Sequence, residues 1–305
     1  MPIPSLLHDF RKYERINKNP NANFIDLSDI EFITPTSLLP SINYAFTNSI
    51  EKYTPSYNTR DHLKRILGKD NNNQNMIPLK TLKLNYPEEI KHRIITAFGE
   101  DIINLIFPYR KLYEAYGGKD LFPYIIGEIL SNVEQHSLAN KMYTCSQKYP
   151  NIGYIDVGIL DDGLTIPGSY EKSRVEFIGA EINPYDVKND CEAIYRCLNG
   201  ISTKEGFKRS LKKLEDDEEI ENMDKIGHGI NTSVRMITEL LGGSMLIASR
   251  EGICHLTPSK KKLIKAKNNS IIKGTLIVMR FKKANLTNEK FQEYLLYGSI
   301  NDVDY

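Results

Sequence analysis

Three stretches of this chain carry side chains whose types and spacing could do chemistry. In Gly127-Glu128-Ile129-Leu130-Ser131-Asn132-Val133-Glu134-Gln135-His136, the residues Glu128, Asn132 and His136 recur at every fourth position. On an α-helix they form one slowly turning polar stripe. Phe122, Ile125, Ile126, Ile129, Leu130 and Val133 fill most of the remaining surface. The stripe therefore faces either bulk water or a wet, polar site. In a site, the side-chain oxygen of Asn132 is a hard ligand suited to Mg²⁺. The carboxylate of Glu128, one turn earlier, could share that metal and orient or deprotonate an attacking water. His136 reads as a helix-end residue rather than a catalyst.

The second stretch is Ile155-Asp156-Val157-Gly158-Ile159-Leu160-Asp161-Asp162-Gly163-Leu164-Thr165-Ile166-Pro167, an apolar strand running into a tight turn. Adjacent carboxylates at a strand end are costly to bury without partners. An exocyclic amino group is one partner that an acceptor-only carboxylate suits, and Gly163 lets the backbone pass close to a ring. An ordinary Asp-Asp-Gly turn is the other reading. In the third stretch, Gly227-His228-Gly229-Ile230, two glycines precede a helical pattern. Free N–H groups at a helix start, with the positive dipole end, hold phosphate oxygens, although a plain loop-to-helix turn uses the same residues. Upstream, Asn199-Gly200-Ile201-Ser202-Thr203-Lys204 adds hydroxyls and a lysine within reach of phosphates.

The elements that must position these residues are legible from periodicity. Helices are predicted over 120–138, 184–198 and 229–241, the last stopped by Gly242-Gly243. Strands are predicted over 153–160, 244–249, 252–256 and 274–281. This order suggests an α/β (α+β) sandwich with helices on one face of a mixed sheet. Before it, Ile25–Ser28 alternates as a strand, and Thr34-Pro35 caps an apolar helix that Pro40 would kink or delay. Residues 58–74 read as a loop or a short helix then a loop. A further helix is predicted over 89–107. The segment 204–225, with its acidic run from Glu215 to Glu219, reads as solvated.

Composition narrows the function classes. The chain has 305 residues, 26% of them charged, with a formal net charge of +1. That balance gives no global pull toward nucleic acid, and none is expected as a partner. The lysines at 260–262, 265 and 267 read as a solvated loop. No apolar stretch is long enough to span a bilayer, and the N-terminus lacks the apolar core of a secretory signal, so a cytoplasmic location is expected. The four cysteines form no CxxC pair, which suits reduced thiols.

Together the three stretches resemble the boxes of the GHKL ATPases, the gyrase, MutL and histidine-kinase group. Glu128, Asn132 and His136 resemble the first box. Asp161-Asp162-Gly163-Leu164-Thr165-Ile166-Pro167 resembles the second, with Asp161 at the adenine position and Thr165 where a second glycine is usual. Gly227-His228-Gly229-Ile230 resembles the third. Gly274-Thr275 is similar to the late pair whose threonine helps bind adenine, and Gly200 to Lys204 to a lid segment. The resemblance implies a Bergerat-type two-layer α/β sandwich at 116–285, with ATP and Mg²⁺ under a lid at about 168–226. It also implies a smaller α/β region at 1–115 and a C-terminal helix or tail at 286–305. The first region's strand-then-helix start resembles the small STAS-type regulatory fold.

Three function classes follow from the resemblance. One is an ATPase switch that acts on a protein partner. Another is a kinase of the histidine-kinase or anti-sigma type, with His8 a poor phosphoacceptor candidate. The third is a non-catalytic nucleotide sensor. A homodimer is compatible with all three.

Overall fold

The structure is a computed structural model that describes residues 5–16, 24–69, 75–107, 121–176, 183–203, 229–267 and 270–282. It is an α+β fold organised on one large sheet. The N-terminal part contributes helix α1 (Leu6–Arg15), strand β1 (Phe24–Leu27), helix α2 (Pro35–Thr47), strand β2 (Lys52–Pro55) and helix α3 (Arg60–Ile66). Then come β3 (Met76–Lys83), α4 (Glu88–Ile106), α5 (Leu121–His136), β4 (Lys141–Tyr149) and β5 (Tyr154–Asp161). Helices α6 (Ile166–Glu176), α7 (Asp190–Leu198) and α8 (Gly229–Arg235) follow, α8 running into a π-helical turn at Met236–Leu240. Strands β6 (Ser244–Arg250), β7 (Gly252–Thr257), β8 (Lys260–Lys265) and β9 (Ile272–Lys282) complete the sheet.

The seven strands lie in the order β3-β4-β5-β9-β6-β7-β8, and β1 pairs with β2 in a separate parallel sheet. Every pairing in the large sheet is antiparallel, so the mixed sheet expected from the sequence is corrected. The expected solvated loop of lysines is also corrected: it is the edge strand β8, paired with β7. Lysines along an edge keep it from pairing with other chains, which explains a strand whose composition does not look like one.

The sheet is buried on both faces. On the front, Ile155, Val157, Ile159, Ile247, Ile277 and Met279 meet the helices α4, α5, α7 and α8. On the rear, Cys145, Leu160, Leu246, Ala248, Leu276 and Val278 meet α1, α2 and β1. The front helices and the sheet form the expected two layers, and the N-terminal part adds a third. The division expected near residue 115 does not follow the fold, because β3 pairs with β4 and α4 packs in the front core. The large sheet starts at Met76.

Local chemistry explains the helix bounds. Pro35 opens α2, and the Thr34 N–H donates to Ser37 Oγ at 3.1 Å. The helix runs through Pro40 rather than starting after it, because its buried face, including Leu38, Leu39 and Ile42, holds it against the sheet. Contact with β5 is so close that a Cβ on Gly158 would lie 2.7 Å from Leu39 Cδ1. Helix α7 begins at Asp190, later than predicted, where Asn189 Oδ1 accepts from Glu192 N at 3.0 Å. No helix among the described residues is long and apolar enough to cross a membrane.

The rear layer is pinned by a buried charge cluster. Arg280 on β9 donates from Nε and Nη2 to both carboxylate oxygens of Asp156 on β5, each at 2.6 Å. Arg280 Nη2 also reaches Asp9 of α1 at 3.0 Å, and the Tyr149 hydroxyl donates to Asp156 at 2.9 Å. Asp9, Asp156 and Arg280 are all nearly fully buried. Removing one partner of such a pair leaves an uncompensated charge in a poor solvent for it. Arg280→Met is therefore expected to lower unfolding stability by roughly 3–5 kcal/mol, measured by urea denaturation. Asp9→Asn, which leaves the Arg280–Asp156 pair whole, is expected to cost markedly less.

Candidate functional site

The front layer contains a cavity of about 750 Å³, its open mouth included. Its floor is the sheet, through Asp161 at the end of β5 and Thr275 and Ile277 on β9. One wall is α5, through Ile129, Asn132 and Val133, and Ile230 of α8 closes beside it. Another wall is built from Ser169 and Tyr170 of α6, Cys197 of α7 and the segment Ile201-Ser202-Thr203. A mostly apolar lining with a few directed polar groups is how small-molecule sites are built.

Asp161 is the ionisable centre of the floor. Its side chain is 2% exposed, and Oδ1 accepts from the Gly163 N–H at 2.9 Å. Burial pushes its pKa up to about 7, and the neighbouring Asp162 adds to this, while the N–H groups of Gly163 and Thr275 hold it down. The adjacent Asp162 has a different task. Its Oδ1 accepts from Asn140 N at 2.9 Å and Lys141 N at 2.8 Å, which fastens the start of β4. Two neighbouring carboxylates thus divide into one for the cavity and one for the backbone.

Two glycines make the floor possible, for backbone reasons. A Cβ on Gly163 would fall 2.1 Å from the Ser137 carbonyl oxygen, so the turn packs directly on the end of α5. Gly274 has φ +107°, and a Cβ there would lie 1.9 Å from the Asp161 carbonyl oxygen. Only glycine allows β9 to run so near the end of β5.

The predicted site residues separate into three groups. Asn132, Asp161, Ile230 and Thr275 line the cavity together. Asn132 Nδ2 donates to its own helix at Glu128 O at 2.7 Å, so its oxygen is the atom with capacity for a ligand. Thr275 Oγ1 lies 3.2 Å from Ser249 Oγ. A second group stands near the cavity without lining it. Glu128 is half-buried one turn before Asn132 on α5. Gly163 shapes the turn, and Gly229 opens α8. Thr165 Oγ1 accepts from Gly168 N at 3.0 Å, so it caps α6 instead of facing the cavity. The third group, Lys204, Gly227 and His228, lies outside the described residues, as does the side chain of His136.

Sequence reasoning missed several lining residues. Ser169 and Tyr170 lie on α6 and Cys197 on α7, both within the segment expected as a lid. Burial pushes the Cys197 thiol up to about 12, so it lines the wall as a small apolar group. The Ile166-Pro167 start after Thr165 was a readable signal for α6, since proline is favoured in a first turn.

The raised Asp161 pKa has a testable sign. Its folded value lies above the ordinary carboxylate value, so the ligand-free fold loses stability as pH rises from about 4 through about 7. Asp161→Asn keeps an acceptor for Gly163 and removes the buried charge. It is expected to raise ligand-free stability by roughly 1–4 kcal/mol at about pH 8 and to change little at about pH 4. Thermal melts of both proteins across this range measure the difference. Gly274→Ala is expected to destabilise at every pH, because the clash at its Cβ is with backbone. No family model matches the chain, and no curated protein matches it at a significant level.

Proposed function

We propose that this chain binds ATP with Mg²⁺ in the front cavity and acts as a nucleotide-driven switch, with hydrolysis dependent on Glu128. One observation carries the reading. A single buried carboxylate, Asp161, shares an apolar cavity with Asn132, Ile230 and Thr275, which come from four separate elements. These are the residues whose resemblance to GHKL boxes assigns them to adenine, metal and the glycine-led helix start.

The chemistry of each residue fits that assignment. Asp161 accepts from an exocyclic amino group in a dry setting, where a charge-assisted hydrogen bond is strongest. Thr275 and the surrounding Ile129, Leu164 and Ile277 suit the face and edge of a planar base. Among the described residues no group of three or more His, Cys, Asp or Glu side chains gathers as a metal cage. A Mg²⁺ would accordingly rest on Asn132, phosphate oxygens and water, the coordination this ion prefers. In this reading Glu128, one turn earlier on the same helix, takes the proton from the attacking water. Transfer to His8 in cis is not part of the proposal. His8 is exposed on α1, which packs against the rear of the sheet, whereas the cavity is on the front.

Calorimetry with ATP and Mg²⁺ tests the binding. Asp161→Asn is expected to weaken ATP binding by roughly ten- to a hundredfold, and an unchanged affinity defeats the assignment. Asn132→Ala is expected to alter the Mg²⁺ dependence of binding. Glu128→Gln is expected to spare binding and slow phosphate release by roughly 10²–10⁴-fold. If the unsubstituted chain binds ATP and releases no phosphate, labelled γ-phosphate on a co-purified protein selects the kinase reading, and its absence there selects the sensor.

A further inference from the structure

The wall formed by Ile201, Ser202 and Thr203 has no helix or sheet ladder to hold it. The chain leaves α7 through Gly200, at φ +85°, and the Ile201 N–H donates back to Arg196 O at 3.1 Å. Beyond that point two buried phenols take over. The Tyr170 hydroxyl of α6 donates to Ile201 O at 2.5 Å, and the Tyr185 hydroxyl donates to Ser202 O at 3.1 Å. Both rings are at most 1% exposed and meet edge to face with centroids 5.9 Å apart. With Ala193 they form a small apolar core of their own, separate from the two that cover the sheet. Arg196 strengthens this unit by donating from Nη1 to Pro184 O at 2.6 Å.

A backbone carbonyl needs a partner when it is shielded from water. Here successive carbonyls are satisfied by side chains, and both donors come from the α6–α7 unit. The wall is therefore set by that unit. Ser202, Thr203 and Tyr170 line the cavity, whereas Tyr185 acts on the wall without lining it.

We propose that Tyr185 and Tyr170 are positioning residues that hold Ser202 and Thr203 against the bound nucleotide, so that the α6–α7 unit sets nucleotide affinity through hydrogen bonds to the 201–203 backbone. The proposal rests on the nucleotide reading of the cavity and extends it to residues outside the three boxes. Hydroxyls on this wall complement the sugar and phosphate oxygens of a nucleotide, whereas the floor at Asp161 and Thr275 complements the base. Positioning of this kind lowers the ordering cost of binding, which is paid in advance by the tyrosines.

The experiment uses the full chain and ATP with Mg²⁺. Tyr185→Phe and Tyr170→Phe keep the rings and remove only the donors. Each is expected to weaken ATP binding about five- to tenfold and to quicken backbone hydrogen exchange at residues 199–203, leaving exchange in β5 and β9 unchanged. In a Ser202→Ala, Thr203→Ala background, Tyr185→Phe is expected to add much less than it does alone, since all three act through one contact. ATP affinity within about twofold of the unsubstituted protein for both tyrosine variants overturns the proposal, as does full additivity in the double background. An unsubstituted protein that binds no ATP removes this proposal together with the function on which it rests. Binding by that protein and unchanged binding by both tyrosine variants removes the proposal alone.

Discussion

The antiparallel pairing of β5 with β9 puts a carboxylate on each face of the sheet, and the layers on both sides are arranged around them. Asp156 and Asp161 are five positions apart, an odd offset, so a strand sends them to opposite faces. On the rear, Asp156 sits opposite Arg280 in the ladder and is closed in by Asp9 and Tyr149. On the front, Asp161 meets backbone N–H groups and a cavity. A slip of one residue between these strands would exchange the faces and leave both carboxylates without their partners. The charge pairs thus fix the register that the apolar residues alone would leave loosely specified.

The two carboxylates meet different fates because their surroundings differ. Asp156 is given a guanidinium in a paired geometry, with a phenol and a second carboxylate beyond it. Asp161 is given only dipoles, and the apolar walls of the cavity remove the water that would otherwise stabilise its charge. Asp156 is thus neutralised by its partner, whereas the charge on Asp161 is opposed by burial and met only by backbone N–H groups. The same logic separates Asp161 from Asp162, whose oxygen is already committed to the backbone at Asn140 and Lys141.

The three layers also bear on how the N-terminal part relates to the cavity. Helix α1 reaches Arg280 on β9, and the same strand carries Thr275 at the cavity. Helix α2 lies against Gly158 on β5, the strand that ends in Asp161. The N-terminal part therefore touches the two strands that form the cavity floor, from the far side of the sheet. Helices α6 and α7 are tied to another side of the cavity, through the tyrosines that hydrogen-bond the 201–203 wall.

Local pattern by itself determined the helices α4, α5, α7 and α8 and five of the strands, because amphipathic periodicity and turn residues are short-range signals. The fourfold spacing of Glu128 and Asn132, the turn at Asp161-Asp162-Gly163 and the Gly274-Thr275 pair were readable for the same reason. The edge strand β8 was not, since its lysines answer to solvent and not to strand propensity. The continuous apolar runs Met245 to Ala248 and Leu276 to Met279 held a sign that both faces are buried, but not of what covers the rear. Only the tertiary structure decided that α1 and α2 cover it, that Thr165 caps a helix, and that Tyr170 and Tyr185 hold the wall. Those outcomes depend on contacts between residues distant along the chain, and a carbonyl's partner or a glycine's neighbour is set by packing that no local pattern encodes.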